Sequence, residues 1–390
     1  MVFAVRWLET LVVAVVVYDR TGSAFLVAMM TMLRLLPMGL FGAFLGAAAE
    51  RWERRTSLLL VLASLLLSSL VLAMLAYAGR LEIWHLGVVS FWNGVGWATD
   101  NPVRRMMIGE VAGPARMGRA MSLDIGANNA SRMIGPMFGG LLLISAGVGG
   151  AFALAALLYG LALIAAFGLG LRNQAGSGGV SGERLLARVM AGLEVVFHDP
   201  RLVGTLVVTV IFNVFGWPCL SMVPVIGRDV FGLAPGGIGV LSSLDGIGAF
   251  AGAVVVAVVA RPRHYAIAYL GGIFFYLAGL LAFAFAFTPY LAGICLLVAG
   301  IGGSGFSIMQ ATLVFLAAPA EMRSRVLGVL SVCIGIGPVG FLHVGLLAEW
   351  IGAQHAIAVS AAEGLAALAL TWRYWRHILP KIASRKLVST

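Results

Sequence analysis

Runs of about 20 apolar residues, the length a helix needs to cross the roughly 30 Å hydrocarbon core of a bilayer, recur along nearly all of this chain. Such runs leave few folds open. In lipid every backbone N–H and C=O must find its partner inside the protein, which only helices and closed barrels achieve. The runs mix Gly, Leu, Ala and Val without the period-two alternation of barrel strands, so the spacing predicts helices. Composition agrees: 61% of residues are hydrophobic and only 11% charged, a balance that no water-facing surface carries. The expected fold class is an all-α polytopic membrane protein with 12 transmembrane helices in two pseudo-symmetric six-helix bundles.

The first six spans are expected at Met1–Val17, Ala24–Ala48, Ser57–Ala78, Glu82–Val103, Ala120–Ser145 and Gly150–Leu171. The fourth is expected to be interrupted by Asn93-Gly94-Val95-Gly96. The other six are expected at Leu202–Ile226, Gly236–Ala260, Ala266–Phe287, Tyr290–Phe315, Val326–Leu347 and Ala353–Trp375. The only long hydrophilic segment separates the two sets and opens with the flexible stretch Gly176–Gly182. From Glu183 to His198 apolar residues recur every three or four positions opposite Arg184, Arg188 and Glu194, which predicts an amphipathic helix lying along the membrane. The domain division is therefore 1–171, a cytoplasmic linker 172–200, 201–376, and a tail 377–390.

Basic residues orient such a chain, because Lys and Arg concentrate in cytoplasmic loops. With both termini inside, Arg20, Arg80 and Arg228 fall outside, Arg6, Arg34 and Arg132 fall within spans, and all the rest of the 26 Lys and Arg face the cytoplasm. The net charge of +10 is thus read as orientation rather than as a nucleic-acid footprint. Localisation in a bacterial inner membrane is expected. Cys219, Cys295 and Cys333 lie singly in apolar runs, with no spacing for a metal or a disulfide framework. The first run carries Arg6 and Glu9 and lacks a cleavage site, so it is expected to stay as a span rather than leave as a signal peptide. A degenerate repeat supports two parallel halves: Pro114–Arg119 before the fifth span is similar to Pro319–Arg325 before the eleventh, and Ile134-Gly135-Pro136 matches Ile336-Gly337-Pro338.

Between the second and third spans stands Gly46-Ala-Ala-Ala-Glu50-Arg51-Trp-Glu-Arg54-Arg55, expected to be a charged loop in which Gly46 ends a helix. A stop signal between two spans is the simpler explanation of it. Gly46, Glu50, Arg51, Arg54 and Arg55 resemble the loop signature of the major facilitator superfamily, with Glu50 where Asp is usual. Gly135-Pro136-x-x-Gly139-Gly140 is similar to the fifth-helix signature of that superfamily's exporters and antiporters. The Arg6-Trp7 start, the Tyr18–Ser23 turn and His198-Asp199-Pro200-Arg201 resemble the branch that contains the enterobactin exporter and bacterial multidrug efflux proteins. The resemblance implies two six-helix halves that alternate access to a central site. Three departures stand beside it. The tail that members usually carry before the first span is missing, which makes a truncated or misassigned start the expectation. Ala260–His264, after the eighth span, lacks the acid of the counterpart loop. No Arg-centred fourth-helix signature of drug/proton antiporters occurs.

A charge near the bilayer centre costs about 2.5 to 3.5 kcal/mol on insertion scales, so each one calls for a partner or a wet cavity. Glu9 and Arg34 lie at similar depth and are expected to pair, as a proton or substrate site or as a structural ion pair. Asp124, Asn128 and Arg132 follow at four-residue steps and predict a polar stripe facing the cavity or the other half, with interhelical hydrogen bonding as the alternative role. Asp245 among Gly246 and Gly248 is a candidate second proton site or gate partner, and Asn213 with Trp217 and Pro218 a candidate substrate wall. Gly135, Pro136, Gly139 and Gly140 are expected to form a close helix contact on which the halves rock.

No catalytic triad, metal cluster or nucleotide loop is read, so the expectation is a secondary active transporter rather than an enzyme. It would be a monomer without cofactor, driven by protons, exporting a small amphipathic molecule and touching only that solute and lipid. A nutrient importer or uniporter of the same fold, or a non-transporting sensor or assembly subunit, remains as the alternative.

Overall fold

The computed structural model describes residues 1–51, 54–112, 116–168, 185–259 and 261–379; side chains 41–54, 185–189, 320, 324 and some between 101 and 125 lie outside the description. The first half comprises α1 (Val2–Thr21), α2 (Ala24–Arg51), α3 (Arg54–Tyr77), α4 (Ile83–Ala112), α5 (Met117–Ser145) and α6 (Gly147–Phe167). After α7 (Leu185–His198), the seventh crossing is composite: α8 (Pro200–Ile211), a π turn Phe212–Gly216, a 3-10 stretch Trp217–Met222 and α9 (Val223–Asp229). Then come α10 (Pro235–Val259), α11 (Tyr265–Ala284), α12 (Pro289–Ala317), α13 (Arg323–Ile334) with α14 (Gly337–Ile351), and α15 (Ala353–Leu370) with α16 (Trp372–Trp375). Taking α8–α9 and α13–α14 as single crossings, twelve helical crossings lie among the described residues. Among the described residues, eight helical units, α3, α6 and the six crossings of the second half, are long and apolar enough to span a bilayer.

Local chemistry sets the ends. Gly22 closes α1 with φ 64°, where its N–H reaches the Tyr18 carbonyl at 2.8 Å, a left-handed conformation that glycine adopts without strain. Asp199 caps α8 by accepting from the Arg201 N–H at 2.8 Å, with Pro200 in the first turn where no N–H is needed. Thr288 and Pro289 start α12 in the same way.

Several expectations about continuity are corrected. The charged stretch at Gly46 is largely helix rather than loop: α2 runs through Gly46 to Arg51 and α3 resumes at Arg54. Ala47, Ala48 and Ala49 favour helix strongly enough to carry one glycine. The side chains of Gly46, Glu50, Arg51 and Arg54 lie outside the described residues; Arg55 donates to the Phe167 carbonyl at 2.9 Å, tying α3 to α6. Likewise α4 is unbroken through Asn93–Gly96. A Cβ on Gly94 would strike the Arg34 backbone and one on Gly96 would lie 3.3 Å from Leu65, so these glycines let α2 and α3 approach rather than interrupt the helix. Conversely, the seventh and eleventh spans are not single α-helices, breaking around Gly216-Trp217-Pro218 and Gly335-Ile336. Proline removes a backbone donor and crowds the preceding turn, and a neighbouring glycine lets the chain relax there.

The first half packs through α1–α5, α2–α4 and α3–α6, the second through α10–α12, α11–α12 and α11–α15. The halves meet along α5–α10 and α2–α14. Outward-pointing apolar residues such as Leu60, Leu67, Leu157 and Ile164 are exposed, as expected of a lipid-facing surface. α7 rests on α13 and α8, with Val196 buried beside Val329.

Candidate substrate cavity

Glycine makes the seam between the halves. A Cβ on Gly135 would sit 2.6 Å from that of Trp7, and one on Gly139 3.0 Å from the Leu8 carbonyl, so these two pack α5 against α1. Gly140 faces the opposite way, where a Cβ would come within 3.1 Å of Gly236 and Gly239 on α10. Pro136 sits inside α5 and leaves the Arg132 carbonyl without its usual i+4 donor. Gly246 of α10 is the residue that abuts this carbonyl: a Cβ there would lie 2.8 Å from it. The four-residue motif thus serves two contacts, one within a half and one between halves.

At the end of the molecule where α1 finishes, polar contacts also join the halves. Arg228 Nε lies 3.1 Å from Asp19 Oδ1, the Tyr18 hydroxyl donates to Asp229, and Ser23 donates to Glu349 at 3.1 Å. These side chains are partly exposed, and such ion pairs contribute about 0–1 kcal/mol each. Close packing, including the glycine contacts and the apolar cluster of Leu11, Val15 and Ile238, joins the halves beside them. Replacing Asp19 and Asp229 together by Asn is expected to leave the fold intact and raise opening at this face only about tenfold or less, as read by thiol labelling of a cysteine placed at Ser23.

Beneath this closure, three lobes of roughly 100, 80 and 260 Å³ share Trp7, Asn128, Arg132, Trp217 or Asp245 among their linings and form a central cavity between the halves. Trp7 and Thr10 come from α1, Arg34 from α2, Trp97 from α4, Asn128, Asn129 and Arg132 from α5. Opposite stand Trp217, Asp245, Tyr276 and Phe341. Arg132 donates to Asp245 across the seam, while its guanidinium lies 5.6 Å from the Trp7 ring.

The expected Glu9–Arg34 pair is corrected. Glu9, buried, is instead held by Ser69 of α3 at 2.6 Å, Tyr159 of α6 at 3.1 Å and Asn93 of α4 at 3.4 Å. Arg34 donates to Thr10 and lies 6.0 Å from the Trp97 ring. Depth matched, but azimuth did not: Glu9 points back into its own half. A narrow lobe of about 20 Å³, the size of one water, touches both residues.

The expected α5 stripe also divides. Asp124 pairs with Arg104 of α4, and Arg104 with Asp100 at 3.6 Å; Asp100 receives Arg6 at 3.2 Å. This chain of alternating charges binds α1, α4 and α5, while Asn128 and Arg132 line the cavity. Asn213 does not line these three lobes; it is buried and donates to the Thr209 carbonyl at 2.9 Å, beside a network in which Tyr269 and Gln310 meet the Thr209 hydroxyl. Its neighbour Trp217 does reach the cavity, edge-on to Phe341 at 5.7 Å. Sequence reasoning missed Asp100, Trp97, Thr10 and Tyr159. Asp100 fell within the expected fourth span but was not singled out; α4 continues past it to Ala112, which sets it inside the helix rather than near its end.

The comparisons agree with this architecture. A POT family transporter crystallised with a thioalcohol-conjugated peptide superposes with a TM-score of 0.74 at 14% identity, covering 97% of this chain and 96% of that one. The nucleoside transporter NupG superposes at 0.70 and 11% identity, covering 96% and 98%. A bacterial homologue of the human lysosomal transporter Spinster, captured inward-facing and unoccupied, gives 0.67 and 16% identity, covering 97% and 93%. At such identities these likenesses show the fold. In sequence, macrolide efflux protein A of Streptococcus pyogenes is 22% identical over 353 residues, 86% of this chain and 84% of that protein. The family model of the Major Facilitator Superfamily matches residues 1–342, and the chain belongs to that superfamily of multi-pass membrane transporters.

Proposed function

We propose that the chain is a proton-coupled exporter of a small amphipathic molecule in a bacterial inner membrane, working by alternating access with both termini cytoplasmic. The observation that carries the reading is a cavity between the halves that combines tryptophan faces with the ionisable groups Arg34, Arg132 and Asp245, with the buried Glu9 on an adjoining narrow lobe. The likeness to a macrolide efflux protein supports the export direction. The distribution of basic residues supports placing the end closed by Arg228 and Asp19 on the outside. Glu50, Arg51 and Arg55 would then latch the cytoplasmic side in the opposite state.

Glu9 is the residue proposed to take up the proton, since its three hydrogen-bond partners are neutral and the narrow lobe gives it access to water. Each charge moved down the membrane potential supplies about 2.3 kcal/mol per 100 mV. In proteoliposomes with an imposed pH gradient, a panel of lipophilic dyes should move only with the gradient. Glu9→Gln should abolish that dependence while leaving dye binding within about twofold, because the Gln oxygen can still accept from Asn93 and Tyr159, its amide can donate to the Ser69 hydroxyl, and it carries no titratable proton. Gradient-driven movement at the wild-type rate in Glu9→Gln would overturn the assignment.

The importer alternative rests on the same cavity; two neighbours of this fold are a peptide-bound POT family transporter and a nucleoside transporter. Direction of flux in oriented vesicles separates the two.

A further inference from the structure

Three arginines face the central cavity, and they are not equivalent. Arg6 has Asp100 at 3.2 Å, and Arg132 has Asp245. Arg34 has no carboxylate within ion-pair distance among the described residues, although it is only 7% exposed. Its Nη1 donates to the Thr10 hydroxyl and its Nε has no hydrogen-bond partner; Arg6 also has unpartnered nitrogens, Nε and Nη2, but its charge is met by Asp100, so the missing carboxylate is what sets Arg34 apart. Glu9 does not neutralise it by contact: its oxygens are turned to Ser69, Asn93 and Tyr159, and the lobe that touches both residues, about 20 Å³, is the size of one water. On its other side Arg34 opens onto the roughly 100 Å³ lobe walled by Trp7, Trp97, Trp217 and Phe341.

A guanidinium kept in such a site with unused donors is poised for an anion, which it meets with two parallel N–H bonds. The surrounding indoles offer flat apolar faces to a ring or hydrocarbon body. Asp245 also has an unpartnered oxygen, but its charge is already met by Arg132, so it does not make the cavity a cation site. We infer that the solute class is an amphipathic organic anion, a carboxylate or sulfonate on a flat apolar body, and that Arg34 receives the anionic group. This rests on the proposed use of the cavity for transport and narrows it.

The test uses three probes with one ring system: 2-naphthoate, 2-naphthamide and 2-naphthylmethylammonium. Binding to the full chain in phosphatidylcholine nanodiscs is followed by tryptophan quenching. The wild type should bind the carboxylate at least about tenfold more tightly than the amide, with the ammonium weakest. Arg34→Gln should bring carboxylate and amide within about twofold, and Arg34→Lys, which keeps the charge, should retain a preference for the carboxylate and so show the cavity is intact. Equal or tighter binding of the ammonium, no binding of any probe, or a carboxylate preference that survives Arg34→Gln would overturn the inference. The outcome is separable from the export reading: gradient-driven movement of cationic dyes without anion preference removes only the solute class. Selective binding of naphthoate without any flux keeps the anion site and removes export.

Discussion

Gly246→Leu is expected to hold the two halves apart and to stop transport while each half remains folded. The backbone of Arg132 occupies the space a side chain would need, and a backbone cannot move aside as a flexible side chain can. Overpacking costs typically 1–3 kcal/mol, here levied only on the state in which α5 and α10 touch, so its population should fall by about 10- to 100-fold. The measurement is maleimide labelling of a cysteine at Ala14, which is buried below the seam, in a background with Cys219, Cys295 and Cys333 replaced by Ala. Labelling from the sealed end should rise about 10-fold or more in Gly246→Leu, and dye transport should fall in step. Gly271→Leu, where a Cβ meets nothing within 4 Å, is the control and should change neither.

The second large effect is expected at the ion pair across the same seam. Arg132→Met leaves the Asp245 carboxylate, itself almost fully buried, without its partner, and breaking a buried pair this way costs about 3–5 kcal/mol. Asp245→Asn should cost less, because Arg132 is 21% exposed toward the cavity and can recruit water. The double variant Arg132→Met/Asp245→Leu should recover much of the loss, since replacing both charges removes the desolvation penalty along with the attraction. Thermal unfolding in detergent gives the order: Arg132→Met lowest, Asp245→Asn and the double variant above it. A double variant no more stable than Arg132→Met would show that the pair does not act as a unit.

The spans were legible because a bilayer imposes one length on every crossing, and the halves because the same glycine–proline pair recurs in the fifth and eleventh spans. What that pair does was not legible. Pro136 lies inside an unbroken α5, whereas around Pro338 the chain divides into α13 and α14. Both prolines subtract a donor; whether the helix survives depends on which neighbour packs against the gap, and that is a tertiary fact. The candidate site shows the same limit. Residue type and depth singled out Glu9, Arg34, Arg132 and Asp245 as costly intramembrane charges, and all four line cavity lobes. Their partners were mostly missed. Glu9 is matched to Ser69, Asn93 and Tyr159 by rotation about the α1 axis, which a depth estimate does not contain. Arg132 and Asp245 meet only because glycines let α5 and α10 come close enough for a guanidinium to reach across.

The seventh crossing also bears on how far apart its two ends stand. The 3-10 stretch Trp217–Met222 rises about 2.0 Å per residue against about 1.5 Å in an α-helix, so its six residues are roughly 3 Å longer than the same sequence wound normally. The extra length of the 3-10 stretch is therefore part of what sets the reach of the crossing from Trp217 in the cavity to Asp229 at its contact with Tyr18.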